Sequence, residues 1–268
     1  MIKIFRYNVI NPYRRDWKNK EVLYVWFQKL IDNCVDETSV CKQVFKLEEY
    51  TFDEMFQDLV TIVVAGTETT SRTIISILYY LKKNPDKLEL TVKDLKDHGF
   101  DKNFDFSKLD VEQILTLEYL PLSIKEGLRV DSPVVEVFNY YTYDNITICN
   151  VDIPKGSYIK LDLYSGHYNE NDWLNPKDFI PERHDPDSEY FKKSVAEGKK
   201  PHTYSRRSFG HGKRACPGQT LAILKIKIVL TYMLSNFSYD VCDGLLENDG
   251  AGFGAGSLIE PMFKINKL

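Results

Sequence analysis

The chain has 268 residues, of which 43% are hydrophobic and 28% charged, and its formal net charge is −4. These values are typical of a soluble globular protein and exclude a disordered or fibrous chain. Its five cysteines include no C-x-x-C pair, which argues against a disulfide framework and a cysteine-rich zinc site and favours a reducing compartment. No run of about 18 apolar residues is present, so no membrane-spanning helix is predicted in the chain as given.

The N-terminal third of the chain is predicted to be helical. Residues 21–33 carry apolar side chains at helical spacing. Thr51 and Glu54 form a capping box, in which each side chain accepts a hydrogen bond from the other residue's backbone N–H. The apolar run that follows stops before Pro85, so we predict one helix over 51–84, of roughly 30 residues and about 45 Å.

Shorter helices and then strands are predicted in the middle of the chain. Helical patterns occur at about 86–97 and 111–117, and Pro121 lies near the start of a helix predicted over 118–130. Between 134 and 164, β-branched and aromatic residues alternate with turn residues, which predicts two or three strands.

The C-terminal part is predicted to contain a long loop, an apolar helix and a hairpin. Residues 165–215 are rich in Pro, Gly, Asn and Asp, which indicates an ordered loop of a length that is often functional. The apolar helix is predicted over 217–236 and the closing hairpin over 249–268. The fold class is therefore predicted to be mainly α with a small β portion (α+β).

A cysteine segment carries the strongest chemical signal: Phe209-Gly-His-Gly212-Lys-Arg214-Ala-Cys216-Pro-Gly218. Glycines on both sides let the backbone turn tightly and expose the sulfur. Arg214 lies two residues before Cys216, so in an extended loop it points to the same side and can bind an anion beside the sulfur. The helix that follows begins near the cysteine, where free N–H groups favour a negative charge. The pattern therefore favours a metal-bound thiolate.

This segment fills every fixed position of the pattern F-x-x-G-x-R-x-C-x-G, and on it the chain is identified as a member of the cytochrome P-450 family of haem–thiolate monooxygenases. The chain resembles the C-terminal half of that fold, truncated at its N-terminus. The resemblance implies haem b (iron protoporphyrin IX) as cofactor and Cys216 as axial ligand of the iron. It also implies that Arg214 contacts a haem propionate, that Phe209 packs on the haem, and that Gly212 and Gly218 complete the binding loop.

Two further segments resemble the family's charge triad. Glu126-Gly-Leu-Arg129 matches E-x-x-R, and residues three apart share one face of a helix. Pro181-Glu-Arg183-His184 is similar to P-E-R-F, with His184 in place of the phenylalanine. The resemblance implies that Glu126, Arg129 and Arg183 form a buried triad, in which loss of one member leaves an uncompensated charge.

The long predicted helix contains Ala65-Gly66-Thr-Glu68-Thr69-Thr-Ser, which resembles the family's A-G-x-[DE]-T-T. Glycine and β-branched residues cost stability inside a helix, so another role is expected of them. On these residues alone, a packing notch of small side chains is an equal alternative. The resemblance implies that the helix bends beside the haem at Ala65 and Gly66 to make room for O2, and that Glu68 and Thr69 relay protons.

The resemblance implies a haem-dependent monooxygenase that inserts one oxygen atom of O2 into a small apolar organic substrate, with electrons from an NADPH-dependent reductase. No acidic residue occurs from Gly198 to Tyr239, and we expect the reductase to dock on basic residues of this stretch. The docking set consists of Arg206, Arg207, Lys213 and Lys225. A solvated basic face is the alternative. No nucleic-acid partner is expected.

The family's N-terminal half has no counterpart in the chain. We therefore expect a single incomplete domain over 1–268, with 1–50 as a helical lead-in. The resemblance implies that the missing half carries most substrate-recognition loops and a membrane anchor, which would hold the full-length form on the cytoplasmic face of the endoplasmic reticulum. Three alternatives stay open: a haem-binding fragment or pseudoenzyme without turnover, an O2-independent haem–thiolate isomerase or lyase, which the Glu68–Thr69 pair disfavours, and a non-haem helical binding protein.

Overall fold

A computed structural model describes residues 17–39, 42–43, 51–136, 139–202, 204–242 and 263–268. The chain divides into two compact units, Met1–Glu68 and Thr69–Leu268. The boundary lies within one long helix, α2 (Phe52–Lys83), which follows α1 (Trp17–Asp32). No helix of the described ranges is both long and apolar enough to cross a membrane.

The first unit is built on the contact between α1 and the first turns of α2. Phe27, Ile31, Phe56 and Leu59 form its buried apolar cluster. The ring centroid of Tyr24 lies 4.0 Å from that of Phe56, so aromatic packing adds to the burial of aliphatic side chains.

α2 begins with the predicted capping box. The N–H of Thr51 donates to the Glu54 carboxylate at 3.1 Å, and the N–H of Glu54 donates to Oγ1 of Thr51 at 3.3 Å. The helix has 32 residues and ends before Asn84, because Pro85 begins the next helix at a position where its missing N–H costs no hydrogen bond. One helix thus covers the segment for which the sequence predicts it.

The core of the second unit is shared by the second half of α2 and by α3 (Pro85–Asp97), α5 (Tyr119–Val130) and α8 (Gln219–Asn236). Its most deeply buried aliphatic side chains are Ile77, Leu81, Leu95, Ile114, Leu120, Ile124, Val130, Ile226 and Leu230. At Gly127, α5 approaches α2 so closely that a Cβ would lie 2.4 Å from Cγ1 of Ile77. Glycine in the middle of α5 is therefore explained by packing.

A buried carboxylate from α3 caps α5. Asp94 accepts hydrogen bonds from the N–H groups of Glu118, Tyr119 and Leu120 at 3.2, 2.9 and 2.9 Å. These are N–H groups that a helix cannot satisfy internally at its N-terminus. A residue 24 positions earlier in the chain therefore fixes where the helix with the E-x-x-R pattern begins.

Short elements connect the large helices. After α3 come a 3-10 turn (Phe106–Lys108) and α4 (Val111–Leu115). Where two or three strands are predicted, four short ones occur: β1 (Tyr140–Tyr141), β2 (Ile146–Ile148), β3 (Val151–Ile153) and β4 (Tyr158–Ile159). β1 pairs antiparallel with β4 and β2 with β3. The fold is mainly α with a small β portion, as predicted.

The segment 165–215 contains more helix than the predicted loop. It holds the end of α6 (Leu163–His167), α7 (Glu189–Ala196) and 3-10 turns at Pro181–His184 and Gly212–Arg214. α7 was missed because it lies between Pro- and Gly-rich stretches, yet it has an ordinary cap: the Ser188 hydroxyl accepts from the N–H of Phe191 at 3.0 Å.

The hairpin predicted over 249–268 lies largely outside the described residues. Its last strand, β6 (Phe263–Lys267), pairs antiparallel with β5 (Phe237–Val241), which directly follows α8. The helix predicted over 217–236 begins at Gln219, two residues later than predicted.

Candidate functional site

Glu126 lies at the centre of a fully buried ion cluster. Arg129 donates from Nη2 to Oε1 at 2.8 Å and from Nε to Oε2 at 2.9 Å, and Arg183 donates from Nε to Oε1 at 2.8 Å. Burial by itself would raise the pKa of Glu126, but the surrounding donors and positive charges hold that pKa well below its ordinary value. The structure therefore brings the three predicted triad residues together around an ionised carboxylate.

The two arginines also bind the backbone of the segment before Arg183. Arg129 donates to the carbonyls of His167, Pro176 and Asp178 at 2.8, 2.7 and 3.1 Å. Arg183 donates to those of Leu174, Asn175 and Asp178 at 2.7, 2.9 and 3.1 Å. The ring of Trp173 lies 5.2 Å from the guanidinium of Arg129 and 5.8 Å from that of Arg183. The cluster thus fixes the backbone of an irregular segment that forms no β-sheet hydrogen bonds.

His184 is a fourth member of the cluster that sequence reasoning did not place there. Its Nε2 lies 2.8 Å from Oε2 of Glu126, and its ring packs edge-on against Trp173 at 5.9 Å. Burial, with the positive charges of Arg206 and Arg129, lowers the pKa of His184 to about 4 although Glu126 opposes the shift. At neutral pH the histidine is therefore uncharged and donates from Nε2. Its presence where P-E-R-F has phenylalanine was the available signal.

The cysteine segment forms a tight loop between Arg207 and Cys216. The N–H of Gly210 donates to the Arg207 carbonyl and the N–H of Cys216 to the Phe209 carbonyl, both at 2.8 Å. Gly210 and Gly212 have φ of +70° and +67°, a conformation that residues with a Cβ rarely adopt. The signature includes Gly212; Gly210 is a second required glycine that sequence reasoning did not single out.

The sulfur of Cys216 lies at the exposed end of this loop and at the start of α8. A Cβ on Gly218 would lie 3.8 Å from Sγ, so this glycine leaves the side of the sulfur open. Gly218 is also the N-cap of α8 and has no side chain to accept from the first N–H groups, and the first turn has no acidic residue. Both features favour a negative charge near the sulfur. Arg214 is exposed, whereas Phe209 packs partly buried against the main core.

Two hydrogen bonds tie the cysteine loop to the ion-cluster region. The Ser208 hydroxyl donates to the carbonyl of Leu128 in α5 at 2.9 Å. The N–H of Arg207 donates to Nε2 of His167 at 3.1 Å, and the His167 carbonyl accepts from Arg129. The loop geometry therefore depends on the helix that carries Glu126.

Comparison with known proteins assigns the family. A family model described as "Cytochrome P-450" matches residues 5–257 of the chain. The chain belongs to the cytochrome P-450 family. It is 30% identical over 192 residues to cytochrome P-450 3A2 of Rattus norvegicus, 32% over 205 to cytochrome P-450 76AD1 of Beta vulgaris and 28% over 207 to cytochrome P-450 4p1 of Drosophila melanogaster. These alignments cover 70%, 76% and 77% of the chain but only 35%, 39% and 35% of the relatives.

The residues of this cytochrome P-450 chain fit the family's haem. A single exposed thiol between glycines is suited to one axial bond to iron. Haem carries two propionate carboxylates, for which Arg214 offers an exposed guanidinium. Arg207 offers a second guanidinium, whose Nε and Nη2 are buried and have no hydrogen-bond acceptor within the described part of the chain. Cationic donors and the thiol thus lie on one short loop.

The segment predicted to face the haem lies in the middle of α2. The helix is continuous through Ala65 and Gly66, and a Cβ on Gly66 would meet no atom within 4 Å. The Thr73 hydroxyl donates to the Thr69 carbonyl at 2.8 Å, the back-bonding that often accompanies a bent helix. Glu68 ends the first compact unit and Thr69 begins the second, so the roles predicted for this segment stay predictions.

Removing the charge of Glu126 tests the ion cluster. Glu126→Gln keeps the side-chain shape but leaves Arg129 and Arg183 buried without a counter-charge. We expect the free energy of unfolding to fall by about 3–5 kcal/mol, measured by urea denaturation. The control Glu189→Gln removes an exposed ion pair with Lys192 and should change it by less than about 0.5 kcal/mol. Equal effects of the two substitutions would contradict the cluster's importance.

The buried histidines make stability depend on pH. Burial lowers the pKa of His184 and of His167 to about 4 in the fold, against about 6.5 in the unfolded chain. Between these values the unfolded state binds more protons, so the free energy of unfolding decreases as the pH falls from about 6.5 to about 4.

His184→Phe should remove the contribution of His184 to this pH dependence. That contribution is at most about 1.4 kcal/mol of unfolding free energy per pH unit. Urea denaturation at pH 7 and pH 5 (roughly bracketing the unfolded pKa) measures the slope. Substitution of the exposed His211 by Gln should leave the slope unchanged. A variant His184→Phe with the wild-type slope would show that His184 titrates normally in the fold.

Proposed function

We propose that the chain holds haem b through the thiolate of Cys216 and forms the haem-binding part of a monooxygenase that acts on a small apolar organic substrate. The observation that carries the proposal is that Cys216 is exposed just before α8. It follows a loop in which Gly210 and Gly212 have positive φ angles. When bound, haem supplies the activation of O2. The remaining chemistry is proposed for named side chains of this chain.

On the cysteine side, the protein's task is to keep the sulfur ionised and the haem oriented. The first N–H groups of α8 stabilise the negative sulfur, and Arg214 binds a propionate. Phe209 packs between the main core and the haem. Since these residues lie on one loop tied to α5, the ligand and the propionate partner move as one body.

For proton supply, we propose roles for Glu68 and Thr69 of α2. A carboxylate next to a hydroxyl on one helical turn would carry protons from solvent toward a bound haem, and the methyl group of Ala65 and the absence of a side chain at Gly66 would leave room for O2. This assignment rests on the resemblance of the segment to A-G-x-[DE]-T-T and on the family membership. The chain spans about a third of the length of most relatives that it matches. Turnover, substrate and a location at the endoplasmic reticulum are therefore proposed for a longer protein that contains it.

Thiolate ligation has a direct spectroscopic test. We expect the reduced, haem-reconstituted chain to show the red-shifted carbon monoxide band of a thiolate-bound haem, and Cys216→Ala to lose it. Cys149 is also an exposed free cysteine, so Cys149→Ala is the matched control and should keep the band. Loss of the band in both variants, or in neither, would overturn the assignment of Cys216.

We propose further that an acidic, NADPH-dependent reductase docks on the basic set Arg206, Arg207, Lys213 and Lys225. The support is electrostatic: this set lies in a stretch of 42 residues, 198–239, that contains no acidic side chain, and such a surface accelerates association with an acidic partner. Cys216, the proposed ligand of the haem iron that would accept the electrons, belongs to the same stretch.

Charge reversal tests the docking set. Lys213→Glu and Lys225→Glu, made in a full-length form with reductase, should slow electron transfer about tenfold or more at low salt and flatten its salt dependence. Lys155→Glu, an exposed lysine in the turn before β4, is the control and should change neither. Unchanged rate and salt dependence in the first two variants would exclude this surface.

A further inference from the structure

A cleft of about 450 Å³ lies where α2 ends and α3 begins, against residues 177–180 of the irregular segment that the ion cluster holds. All of its lining residues belong to the second unit. A volume of this size is in the range of clefts that bind small organic molecules. None of the lining residues belongs to the cysteine loop, and the proposed function assigns no role to any of them.

Aromatic rings form one wall of the cleft. Tyr80 and Phe179 stack with their ring planes 12° apart and their centroids 5.5 Å apart. The ring of Tyr79 meets that of Tyr80 edge-on, with 5.4 Å between the centroids. Phe179 is buried in the main core, whereas both tyrosines are half-buried. Part of the tyrosine surface is therefore available to an aromatic ligand, which such rings bind by stacking or edge-on contact.

One ammonium group of the cleft is already neutralised by the protein. Nζ of Lys87 lies 2.9 Å from Oε1 of Glu182 and 3.0 Å from Oδ2 of Asp86. The Tyr119 hydroxyl donates to the same Glu182 oxygen at 2.7 Å. Lys87 therefore contributes no uncompensated charge to the cleft.

Two further lysines leave a net positive charge at the cleft. Lys83 and Lys177 lie at exposed positions of its lining, and Nζ of Lys83 is 5.7 Å from the centroid of the Tyr79 ring. Within the described ranges, neither lysine forms an ion pair. The lining contains one carboxylate, that of Asp178, so these two lysines exceed it by one positive charge. The cleft is therefore complementary to a ligand with a single negative charge.

The wall formed by residues 177–180 is held from behind by the ion cluster. The N–H of Ile180 donates to Oε1 of Glu126 at 2.9 Å. The carbonyl of Asp178 accepts from Arg129 and from Arg183, each at 3.1 Å. Because this backbone is fixed without a ligand, binding in the cleft does not have to order it, which favours affinity.

We propose that this cleft binds an aromatic carboxylate, with the ring of the ligand against Tyr79 and Tyr80 and its carboxylate bound by Lys83 and Lys177. Contact between rings and charge-assisted hydrogen bonds from ammonium groups recognise the two parts of such a molecule. An aliphatic acid lacks the first interaction, and a neutral aromatic compound lacks the second. The site shares no residue with the proposed haem site, so it does not depend on bound haem.

Isothermal titration calorimetry of the full chain with 2-naphthoate tests the cleft. We expect saturable binding to one site per chain. Lys83→Gln and Lys177→Gln should each weaken binding about threefold or more, because each removes one cation that binds the carboxylate. Lys155→Gln removes the same charge from an exposed turn before β4 and should bind 2-naphthoate like the wild type.

Two further ligands separate the contributions of the ring and the charge. 2-Naphthamide has the ring without the negative charge, and acetate has the charge without the ring. Each should bind the wild type at least about tenfold more weakly than 2-naphthoate does. Absence of saturable binding, equal affinity in the wild type and both lysine variants, or acetate binding as tight as that of 2-naphthoate would overturn the proposal. The carbon monoxide spectrum of the haem-reconstituted chain reports separately on Cys216, so a negative result here leaves the proposed function unaffected.

Discussion

The buried carboxylate of Glu126 is the interaction on which the rest of the second unit depends. Two guanidinium groups and an imidazole surround it with hydrogen bonds of 2.8–2.9 Å. Such a cluster is stable only as a whole, since each charge without its partners would be buried at high cost. The arginines use their remaining N–H groups on carbonyls between 167 and 178. An irregular segment is thereby fixed by charge-assisted hydrogen bonds instead of by a sheet.

The helix that carries Glu126 also holds the cysteine loop by a hydrogen bond. α5 carries Glu126 at its centre and accepts the Ser208 hydroxyl near its end, while His167 links the segment before the cysteine to the cluster. A loop that presents a sulfur to a metal must keep its conformation. Within the cysteine loop itself, only a few backbone hydrogen bonds and two glycines with positive φ angles fix that conformation. In this chain, hydrogen bonds therefore connect the cluster to the loop of the proposed haem ligand.

Local signals predicted much of this from the sequence. The Thr51–Glu54 box, Pro85 and the apolar periodicity defined α2, and the signature around Cys216 identified the family. What the sequence did not predict depends on contacts between distant residues: Asp94 caps a helix 24 residues away, and His184 reaches Glu126 over 58 positions. The helix α7 was missed because its flanking prolines and glycines outweighed its serine cap.

The proposed function depends on a bond between the sulfur of Cys216 and the iron of a haem. X-ray absorption at the iron edge measures that bond without any need for substrate, reductase or turnover. For the haem-reconstituted chain we predict one sulfur in the first coordination shell of iron, retained in Cys149→Ala and replaced by nitrogen or oxygen in Cys216→Ala. A first shell of nitrogen and oxygen alone in the unaltered chain would contradict ligation of the iron by Cys216.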